Sequence, residues 1–345
     1  MAAAIPNQNK VIFPDLPQAL TQQEGQKELN ITRFLGSGTF GEVYLLKSHD
    51  VIKVFKKGME VYYYKEAQIH KKINKLAPAK FLLIAEFFGV FQTPERFVFG
   101  LIFENGGVNL IEIITKISKE KQHLSDDWIR NAMMQGLEGL KELHLRNFLH
   151  LDIKPENLLF NASTNCLKIA DFGSAKFFDK DGTVQRSSAR VMCSPWYRPP
   201  ECEIDSKIGA PADLWSLGCV LFELLTLKPI FGQKGDCNHA TPERVLLLEK
   251  ILQTIPAPCP IEKKQWPLYN EYDSSVRRTL FELNMDITPG KNQEWKVALE
   301  NRHPQWRSLL ERFFQFSANR ITTEDSLEFL KTAENFTFKS KHNTE

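Results

Sequence analysis

The chain has 345 residues, of which 42% are hydrophobic and 25% are charged, values typical of a globular protein large enough for two lobes. A formal net charge of +2 gives no bulk electrostatic reason to expect nucleic acid or a membrane as the main partner. The N-terminal residues lack the basic region and apolar core of a signal peptide, and no run of about 18 apolar residues occurs. We therefore expect an intracellular protein of the cytoplasm or the nucleus.

The first third of the chain predicts strands and one helix. Residues 1–28 are polar and contain prolines, which predicts a loosely ordered extension. Residues 31–55 show short alternating apolar runs typical of strands, and residues 59–76 predict a helix that ends near Pro78. Further strand patterns cover residues 87–91 and 97–104.

The rest of the chain predicts mainly helices. After a break at residues 105–107, a long helical pattern covers residues 126–146, with Ser125 as its N-cap. Shorter helical patterns cover residues 213–227, 242–254, 305–316 and 322–332. A strand-rich part followed by a helix-rich part predicts an α+β fold of two lobes, with a hinge near residues 104–107.

A glycine-rich motif lies among the predicted strands. It reads Leu35-Gly36-Ser37-Gly38-Thr39-Phe40-Gly41-Glu42-Val43. The spacing also occurs in dinucleotide-binding turns, but such a turn leads into a helix, whereas the residues after Gly41 predict a strand. A glycine hairpin brings bare backbone close to a triphosphate, because no Cβ blocks the approach. An ordinary hairpin without a ligand is the alternative.

Lys53 lies in an apolar strand pattern after the glycine motif. Its charge is costly there unless it has a partner, and a phosphate or a carboxylate would serve. We expect the carboxylate to be Glu66 on the next helix, because Ile69 and Ile73 follow it at helical spacing. His70 takes this place in another alignment, and a surface ion pair is the alternative for Lys53 and Glu66.

The densest chemical signal is a pair of short motifs. They read His150-Leu151-Asp152-Ile153-Lys154-Pro155-Glu156-Asn157 and Asp171-Phe172-Gly173. Phosphoryl transfer needs a carboxylate to orient the attacking hydroxyl and take its proton, a cation to offset charge, and hard oxygen ligands for Mg²⁺. Asp152 and Lys154 supply the first two groups, and Asn157 and Asp171 supply the metal ligands.

Together these motifs resemble the eukaryotic protein kinase family over nearly the whole chain. The resemblance implies a bilobal fold with a β-rich N-lobe and a mainly helical C-lobe. It also implies ATP and Mg²⁺ as cofactors, and protein substrates phosphorylated on serine or threonine. The catalytic residues that it implies are Asp152, Lys154, Lys53, Glu66 and Ser194.

The resemblance also implies a nucleotide pocket. Phe103 and Glu104 match the gatekeeper and the first hinge residue, and Val51 and Leu159 match the residues on either side of the adenine ring. Val51 stands where the family usually has alanine. The nucleotide-binding residues implied are Leu35, Gly36, Ser37, Gly38, Gly41, Val43, Val51, Lys53, Phe103, Glu104 and Leu159. The metal ligands implied are Asn157 and Asp171.

Further matches concern the support of the site. Glu201 resembles the end of the family's activation segment, and Arg320 stands where the family places the partner of that glutamate. Asp213 is expected to hold the backbone of the catalytic motif, and His150 is expected to be structural. Leu151 departs from the family, which usually has arginine there, and this predicts activity without phosphorylation of the activation segment.

The sequence Pro-Trp-Tyr-Arg-Pro-Pro-Glu at residues 195–201 resembles the CMGC group of kinases. The residues around Asp171 resemble its CDC-like and dual-specificity tyrosine-regulated branch. The domain organisation implied by the resemblance is an N-terminal extension, an N-lobe, a C-lobe with a CMGC-type insert, and a tail. Their bounds are 1–28, 29–105, 106–335 with the insert at about 255–304, and 336–345.

Three alternatives to a serine/threonine kinase stay open: a dual-specificity kinase that autophosphorylates on tyrosine, a pseudokinase scaffold and a small-molecule kinase. The complete set of Lys53, Asp152, Asn157 and Asp171 favours an active enzyme. Residues 171–201 resemble a peptide-docking segment, which argues against a small-molecule substrate. We expect a monomer that acts on protein substrates and has no direct nucleic-acid or membrane partner.

Overall fold

A computed structural model describes most of the chain. The described residues are 19–22, 28–75, 78–92, 97–178, 180–185, 194–204, 207–232, 250–251, 253–254 and 292–332. The chain divides into two compact units. The first unit contains the residues up to Gln68 and Ala85–Asn105, and the second contains Ile69–Ile84 and the residues from Gly106 onward.

The first unit is a closed antiparallel barrel with strand order β1-β2-β3-β4-β6-β5. Its strands are β1 Ala19–Gln22, β2 Glu28–Ser37, β3 Gly41–Leu46, β4 Val51–Phe55, β5 Phe87–Gln92 and β6 Phe97–Phe103. Helix α1, Glu60–Asn74, follows β4 in the chain. The predicted strands and the predicted helix of this region are therefore confirmed within one or two residues at most ends.

The alternation of side chains along β4 places Lys53 away from the barrel core. Ile52 and Val54 are buried, whereas Val51 and Lys53 are partly exposed. Successive side chains of a strand point to opposite faces of the sheet, so Val51 and Lys53 share the face that does not enter the core. The core itself consists of Tyr44, Leu46, Ile52, Val54, Phe91 and Val98.

Strand β1 corrects one expectation for the N-terminal region. Residues 1–28 predict a loosely ordered extension, but Ala19–Gln22 form a strand that pairs with both β2 and β5. Two sheet edges with free backbone groups can be satisfied by a strand of any composition, because the pairing uses only the backbone. Composition therefore did not reveal it. The rest of the predicted extension lies outside the described residues, apart from Glu28 at the start of β2.

The second unit is mainly helical. Its helices are α2 Leu110–Lys119, α3 Asp126–His144, α4 Glu201–Ile204, α5 Pro211–Thr226, α6 Glu294–Val297, α7 Pro304–Phe313 and α8 Thr323–Thr332. Short strands pair in three small sheets, β10-β9-β7, β11-β8 and β12-β13. These strands are β7 Val108–Asn109, β8 Phe148–Leu149, β9 Leu158–Asn161, β10 Cys166–Ile169, β11 Lys176–Phe177, β12 Thr183–Gln185 and β13 Lys207–Gly209.

Helices α3 and α5 form the centre of the second unit. Helix α3 begins as predicted, because the hydroxyl of Ser125 accepts a hydrogen bond from the backbone N–H of Trp128 at 3.3 Å. Nearly every side chain of α5 from Ala212 to Leu225 is buried, as expected for a helix that is apolar on all sides. Gly136 of α3 lies against α5, since a Cβ there would be in ordinary contact, at 3.4 Å, with the side chain of Leu217.

Several predicted features lie largely outside the described residues. They are the helix over residues 242–254, the insert at about 255–304 and the tail over 336–345. In the part of the chain that the structure describes, no helix is long and apolar enough to cross a membrane. Strands dominate the first unit and helices the second, which confirms the α+β prediction.

Candidate active site

The glycine motif forms the hairpin between β2 and β3. The strand β3 begins at Gly41 itself, which excludes the dinucleotide-binding turn, because that turn would lead into a helix. A Cβ on Gly41 would lie only 2.6 Å from the backbone oxygen of Val54, so this position needs glycine for packing. A Cβ on Gly36 would meet no atom within 4 Å. Gly36 therefore presents open backbone, which suits a large anionic ligand.

Lys53 and Glu66 form an ion pair within the first unit. The Lys53 Nζ lies 2.8 Å from each carboxylate oxygen of Glu66. Glu66 is 2% exposed, so the alternative of a surface ion pair is wrong. His70, the residue of the other alignment, is buried in the second unit, where its ring packs edge-on against that of Phe172.

The expected adenine contacts divide between the two units. In the first unit Val51 and Phe103 are register partners on β4 and β6, and Glu104 follows β6 directly. Val43 of β3 is the register partner of Lys53. In the second unit Leu159 lies on β9, and its side chain occupies the space that a Cβ on Gly106 would need. Their roles in nucleotide binding stay a prediction.

The carboxylate of Asp152 is held by hydrogen bonds on both oxygens. Oδ1 accepts from the hydroxyl of Ser194 at 2.7 Å and from its backbone N–H at 3.1 Å. Oδ2 lies 2.8 Å from the Nζ of Lys154 and accepts from Nδ2 of Asn157 at 3.2 Å. Asp152 is 9% exposed. Three predicted site residues thus fix the orientation of one buried carboxylate, and one of them, Ser194, is distant from it in the chain.

Lys154 is the cation of this group. Its Nζ also donates to the hydroxyl of Ser194 at 3.1 Å. Partial burial acts to lower the pKa of Lys154, but the charges of Asp152, Glu156 and Asp171 outweigh it, and the pKa is raised above its usual value. The ammonium group therefore stays protonated beside Asp152 at neutral pH.

Asn157 and Asp171 offer hard oxygen atoms in the same unit. Nδ2 of Asn157 donates to both the backbone oxygen and the carboxylate of Asp152, which leaves the amide oxygen Oδ1 as its acceptor atom. Asp171 has a left-handed backbone with φ of 62°, an uncommon conformation for a residue other than glycine. Mg²⁺ binds one or two protein oxygens and completes its shell with water and phosphate, so this donor set fits it. Among the described residues no group of three or more His, Cys, Asp and Glu side chains is arranged to hold a metal.

Asp213 holds the backbone of the catalytic motif, as expected. Its carboxylate accepts from the backbone N–H groups of His150 at 2.9 Å and Leu151 at 2.8 Å, and it pairs with Nε2 of His144 at 2.9 Å. Burial acts to raise the pKa of Asp213, yet these partners hold it below its usual value. Leu151 has a φ of 63°, so the anion stabilises a strained turn directly before Asp152.

His150 has the structural position that the sequence predicts. It is fully buried, and its Nδ1 accepts from the backbone N–H of Asp152 while its Nε2 lies 3.0 Å from the backbone oxygen of Ala170. These contacts assign the proton to Nε2. Its ring also packs against that of Phe172. His150 therefore joins the catalytic motif to the residues around Asp171.

Glu201 and Arg320 form the predicted buried pair. Arg320 Nη1 lies 2.6 Å from Oε1 of Glu201, and Nη2 lies 3.0 Å from Oε2. The guanidinium also donates to the backbone oxygens of Pro211 and Gln315 and lies over the ring of Trp215. Both charged side chains are almost fully buried, so the pair anchors the end of the segment that carries Ser194.

Sequence reasoning missed Glu223 and His144. The hydroxyl of Tyr197 donates to Glu223 at 2.7 Å in the interior of the unit. Burial, with the charge of Glu156, raises the pKa of Glu223 to about 7. No motif marks a glutamate in an apolar helix pattern. Its position in such a pattern is the one available signal, because a buried acid needs a partner.

Comparisons with known proteins agree with the chemistry expected of Asp152 and the residues around it. The family model described as the protein kinase domain matches residues 29–328. The serine/threonine-protein kinase SSN3 of Yarrowia lipolytica is 28% identical over 332 residues, which cover 90% of this chain and 78% of the relative. The SSN3 kinase of Gibberella moniliformis is 31% identical over 257 residues, covering 69% of this chain and 55% of the relative.

The alignment with a third relative is shorter. The meiotic mRNA stability protein kinase SSN3 of Saccharomyces cerevisiae is 34% identical over 191 residues, which cover 53% of this chain and 34% of the relative. The chain thus spans most of the first relative and about half or one third of the other two.

Proposed function

This chain belongs to the protein kinase family, and we propose that it transfers the γ-phosphoryl group of Mg-ATP to serine and threonine hydroxyls of proteins. Its relatives are named serine/threonine-protein kinases. The observation that carries the proposal is the Asp152 carboxylate. Ser194, Lys154 and Asn157 hold it in one orientation, which is what a group that positions a nucleophile requires.

Asp152 is the base of the proposed reaction. Its carboxylate accepts the proton of the substrate hydroxyl while the hydroxyl oxygen bonds to the γ-phosphorus. The bond from that phosphorus to the β,γ-bridging oxygen breaks, and ADP leaves with the electron pair. The positive charge of Lys154, 2.8 Å from Asp152, offsets the negative charge on the moving group.

The nucleotide phosphates are proposed to contact the glycine turn and Lys53 of the first unit. Open backbone at Gly36 supports this role, and Glu66 keeps the charged end of Lys53 in place. Asn157 and Asp171 are proposed to hold Mg²⁺, which neutralises phosphate charge when it is bound. Serine and threonine are proposed as acceptors because Lys154 contacts both Asp152 and Ser194, a residue pattern that resembles serine/threonine kinases.

A labelled-ATP assay tests the proposal. The purified chain is incubated with γ-labelled ATP and a peptide library that offers serine, threonine or tyrosine, with Mg²⁺ or with a chelator. We expect label on serine and threonine peptides, only with Mg²⁺. The Asp171→Ala variant should lose this transfer and the stabilisation that Mg-ATP gives in thermal unfolding.

The same assay separates the alternatives. Label on a tyrosine of the chain itself would favour the dual-specificity kinase. Stabilisation by nucleotide without transfer to any peptide would favour the pseudokinase scaffold and contradict the proposal. Light scattering of the purified chain tests the proposed monomer, and protein substrates are the partners that the proposal requires.

A further inference from the structure

The tip of the glycine turn is attached to helix α1 through two aromatic rings. Phe40 lies at the tip, between Gly38 and Gly41, and its ring stacks on that of Tyr62. The ring centroids are 4.2 Å apart and the planes differ by 28°. Tyr62 is 43% exposed, so its ring is not needed to fill the core. The described contact of its ring is the stack on Phe40 in the turn.

Lys56 forms a second attachment from the end of β4. Its Nζ donates to the backbone oxygen of Gly38 at 2.7 Å, and its backbone N–H donates to the oxygen of Phe40 at 3.0 Å. Within the turn, the N–H of Gly38 donates to the oxygen of Gly41 at 2.8 Å. The turn is thus fastened at both of its central peptides by a residue outside the hairpin.

These attachments matter because the turn itself has few restraints. Glycines are conformationally free and lose more entropy on ordering than other residues. A Cβ on Gly36 would meet no atom within 4 Å, and one on Gly38 would meet only the oxygen of Gly41. A turn that binds phosphates needs its backbone N–H groups in one arrangement. If the free turn does not hold that arrangement, ordering it on binding costs conformational entropy and lowers the affinity for the nucleotide.

Tyr62 and Glu66 lie one helical turn apart and therefore share a face of α1. Glu66 holds Lys53, and Tyr62 holds the tip of the glycine turn. Helix α1 therefore positions both groups that are proposed to contact phosphate in this unit, Lys53 and the glycine turn. The link from β4 to α1 is itself ordered, since the N–H of Met59 donates to the oxygen of Lys56 at 3.0 Å.

We propose that Tyr62 and Lys56 are positioning residues for ATP, which act by holding the glycine turn through Phe40 and Gly38. The inference rests on the proposed function, because it assumes that the turn binds nucleotide phosphates. It predicts that loss of either attachment weakens ATP binding, whereas the affinity for the peptide substrate is unchanged. The affinity for ATP should depend on the aromatic ring at position 62 and not on its phenol hydroxyl.

The test compares Tyr62→Ala, Tyr62→Phe, Phe40→Ala and the double variant Tyr62→Ala/Phe40→Ala. The readouts are the Kd for Mg-ATP by calorimetry and the KM for ATP and for peptide. Removal of one stacked ring should raise the Kd and the KM for ATP about three- to tenfold, from the usual strength of an aromatic pair. Tyr62→Phe should match the unmodified chain. The double variant should bind ATP no more weakly than the single variant with the larger effect, since the two substitutions remove the same contact.

Tyr64→Ala is the matched control. Tyr64 is an exposed tyrosine of the same helix, but its ring contacts Tyr63 and Phe99 and not the turn. Its loss should leave ATP affinity unchanged. Lys56→Met, which keeps the aliphatic stem, should also raise the KM for ATP.

An unchanged Kd and KM for ATP in Tyr62→Ala, with normal transfer, would overturn the inference and leave the proposed function intact. Additive effects in the double variant would overturn it as well. Absence of both ATP binding and transfer in the unmodified chain would instead overturn the proposed function, and the inference with it. Calorimetry needs no turnover, so ATP binding without transfer still tests the inference.

Discussion

The catalytic motif of the second unit and the glycine turn of the first unit are held in different ways. Asp152 is almost fully buried, and both of its oxygens have partners. The backbone before it is fixed by the Asp213 carboxylate. The glycine turn is held instead by an exposed lysine and a stack of two partly exposed rings. One region is restrained by many buried contacts and the other by a few surface contacts.

The difference follows from what each region has to do. A base must be held within a fraction of an ångström of the reacting hydroxyl, and buried charge-assisted hydrogen bonds give that precision. A turn that covers phosphates must admit the nucleotide and release the product. Weak and exposed contacts suit that role, because a small free-energy change opens them. The comparison predicts large effects of substitution around Asp152 and smaller ones at the attachments of the glycine turn.

The largest effect is expected at Asp152. Asp152→Asn keeps the shape of the side chain but removes the base, so the rate of transfer should fall roughly 10²–10⁴-fold. The Kd for Mg-ATP should change little. Rates are measured on a serine peptide under saturating ATP, with circular dichroism as the check of folding. Transfer at close to the normal rate would show that Asp152 is not the base.

Arg320→Ala should lower stability by about 3–5 kcal/mol, because it leaves the buried carboxylate of Glu201 without its cation. Unfolding by urea measures the change in free energy. The control is Arg307→Ala, which removes an exposed pair with Glu311 on α7 and should cost less than about 1 kcal/mol. Equal effects of the two variants would show that burial does not govern these pairs.

Glu223 predicts a dependence of stability on pH. Its pKa is raised from 4.5 to about 7, so the folded state binds its proton more tightly than the unfolded state. The stabilisation is fully present below pH of about 4.5 and is lost as pH rises through about 7. Two to three pKa units correspond to roughly 3 kcal/mol.

The variant Glu223→Gln tests this dependence. Glutamine stays neutral and still accepts from Tyr197, so the loss of stability between pH 5 and pH 8 should be smaller in the variant by roughly that amount. The other groups near Glu223 are Tyr197, Glu156 and Cys219, and they are present in both proteins. Parallel stability curves for the two proteins would contradict the prediction.

The smallest effect is expected from removal of phosphate groups. Leu151 is buried in an apolar cluster with Leu149, Val184, Cys202, Ile208 and Ala212. In addition β12 pairs with β13, and Nζ of Lys207 lies 2.5 Å from Oδ2 of Asp181. These contacts hold part of the segment that follows Asp171 through apolar packing, strand pairing and an ion pair, whereas an arginine at position 151 would need an anion nearby.

We therefore expect phosphatase treatment to change activity by less than about twofold, within the range of weak surface effects. Mass spectrometry checks that residues 171–201 carry no phosphate, and turnover on a peptide is the readout. Ser187 and Ser188 lie outside the described residues, and Thr183 lies on β12. A tenfold fall that rephosphorylation reverses would show that another basic residue does the work of the missing arginine.

Much of the site could be predicted from the sequence, because its groups lie in short motifs. The family resemblance is confirmed. The SSN3 relatives support the CMGC group, and the CDC-like branch stays a prediction, as do the domain bounds and the roles of the site residues. The ion pairs of Lys53 with Glu66 and of Glu201 with Arg320 were expected and are present. Helical spacing identified the first pair, and family resemblance the second.

Other features had no local signal. Strand β1 depends on the free edges of β2 and β5. The partner of Glu223 is Tyr197, and that of Phe40 is Tyr62. In each case the residue types are common ones, and they gain a role only through a contact between parts of the chain that are far apart in sequence. Neither periodicity nor a motif predicts such a contact.

The sequence by itself determined which chemical groups this protein has and which segments become strands and helices. Those properties depend on residue type and on spacing along a few turns of chain. The tertiary structure alone decided the contacts that neither spacing nor the family resemblance predicts. The hydroxyl of Tyr197 reaches Glu223 and the ring of Tyr62 reaches Phe40, because packing within each unit brings together residues distant in the chain. Hydrogen bonds act over about 3 Å, so their partners are fixed only when the chain has folded.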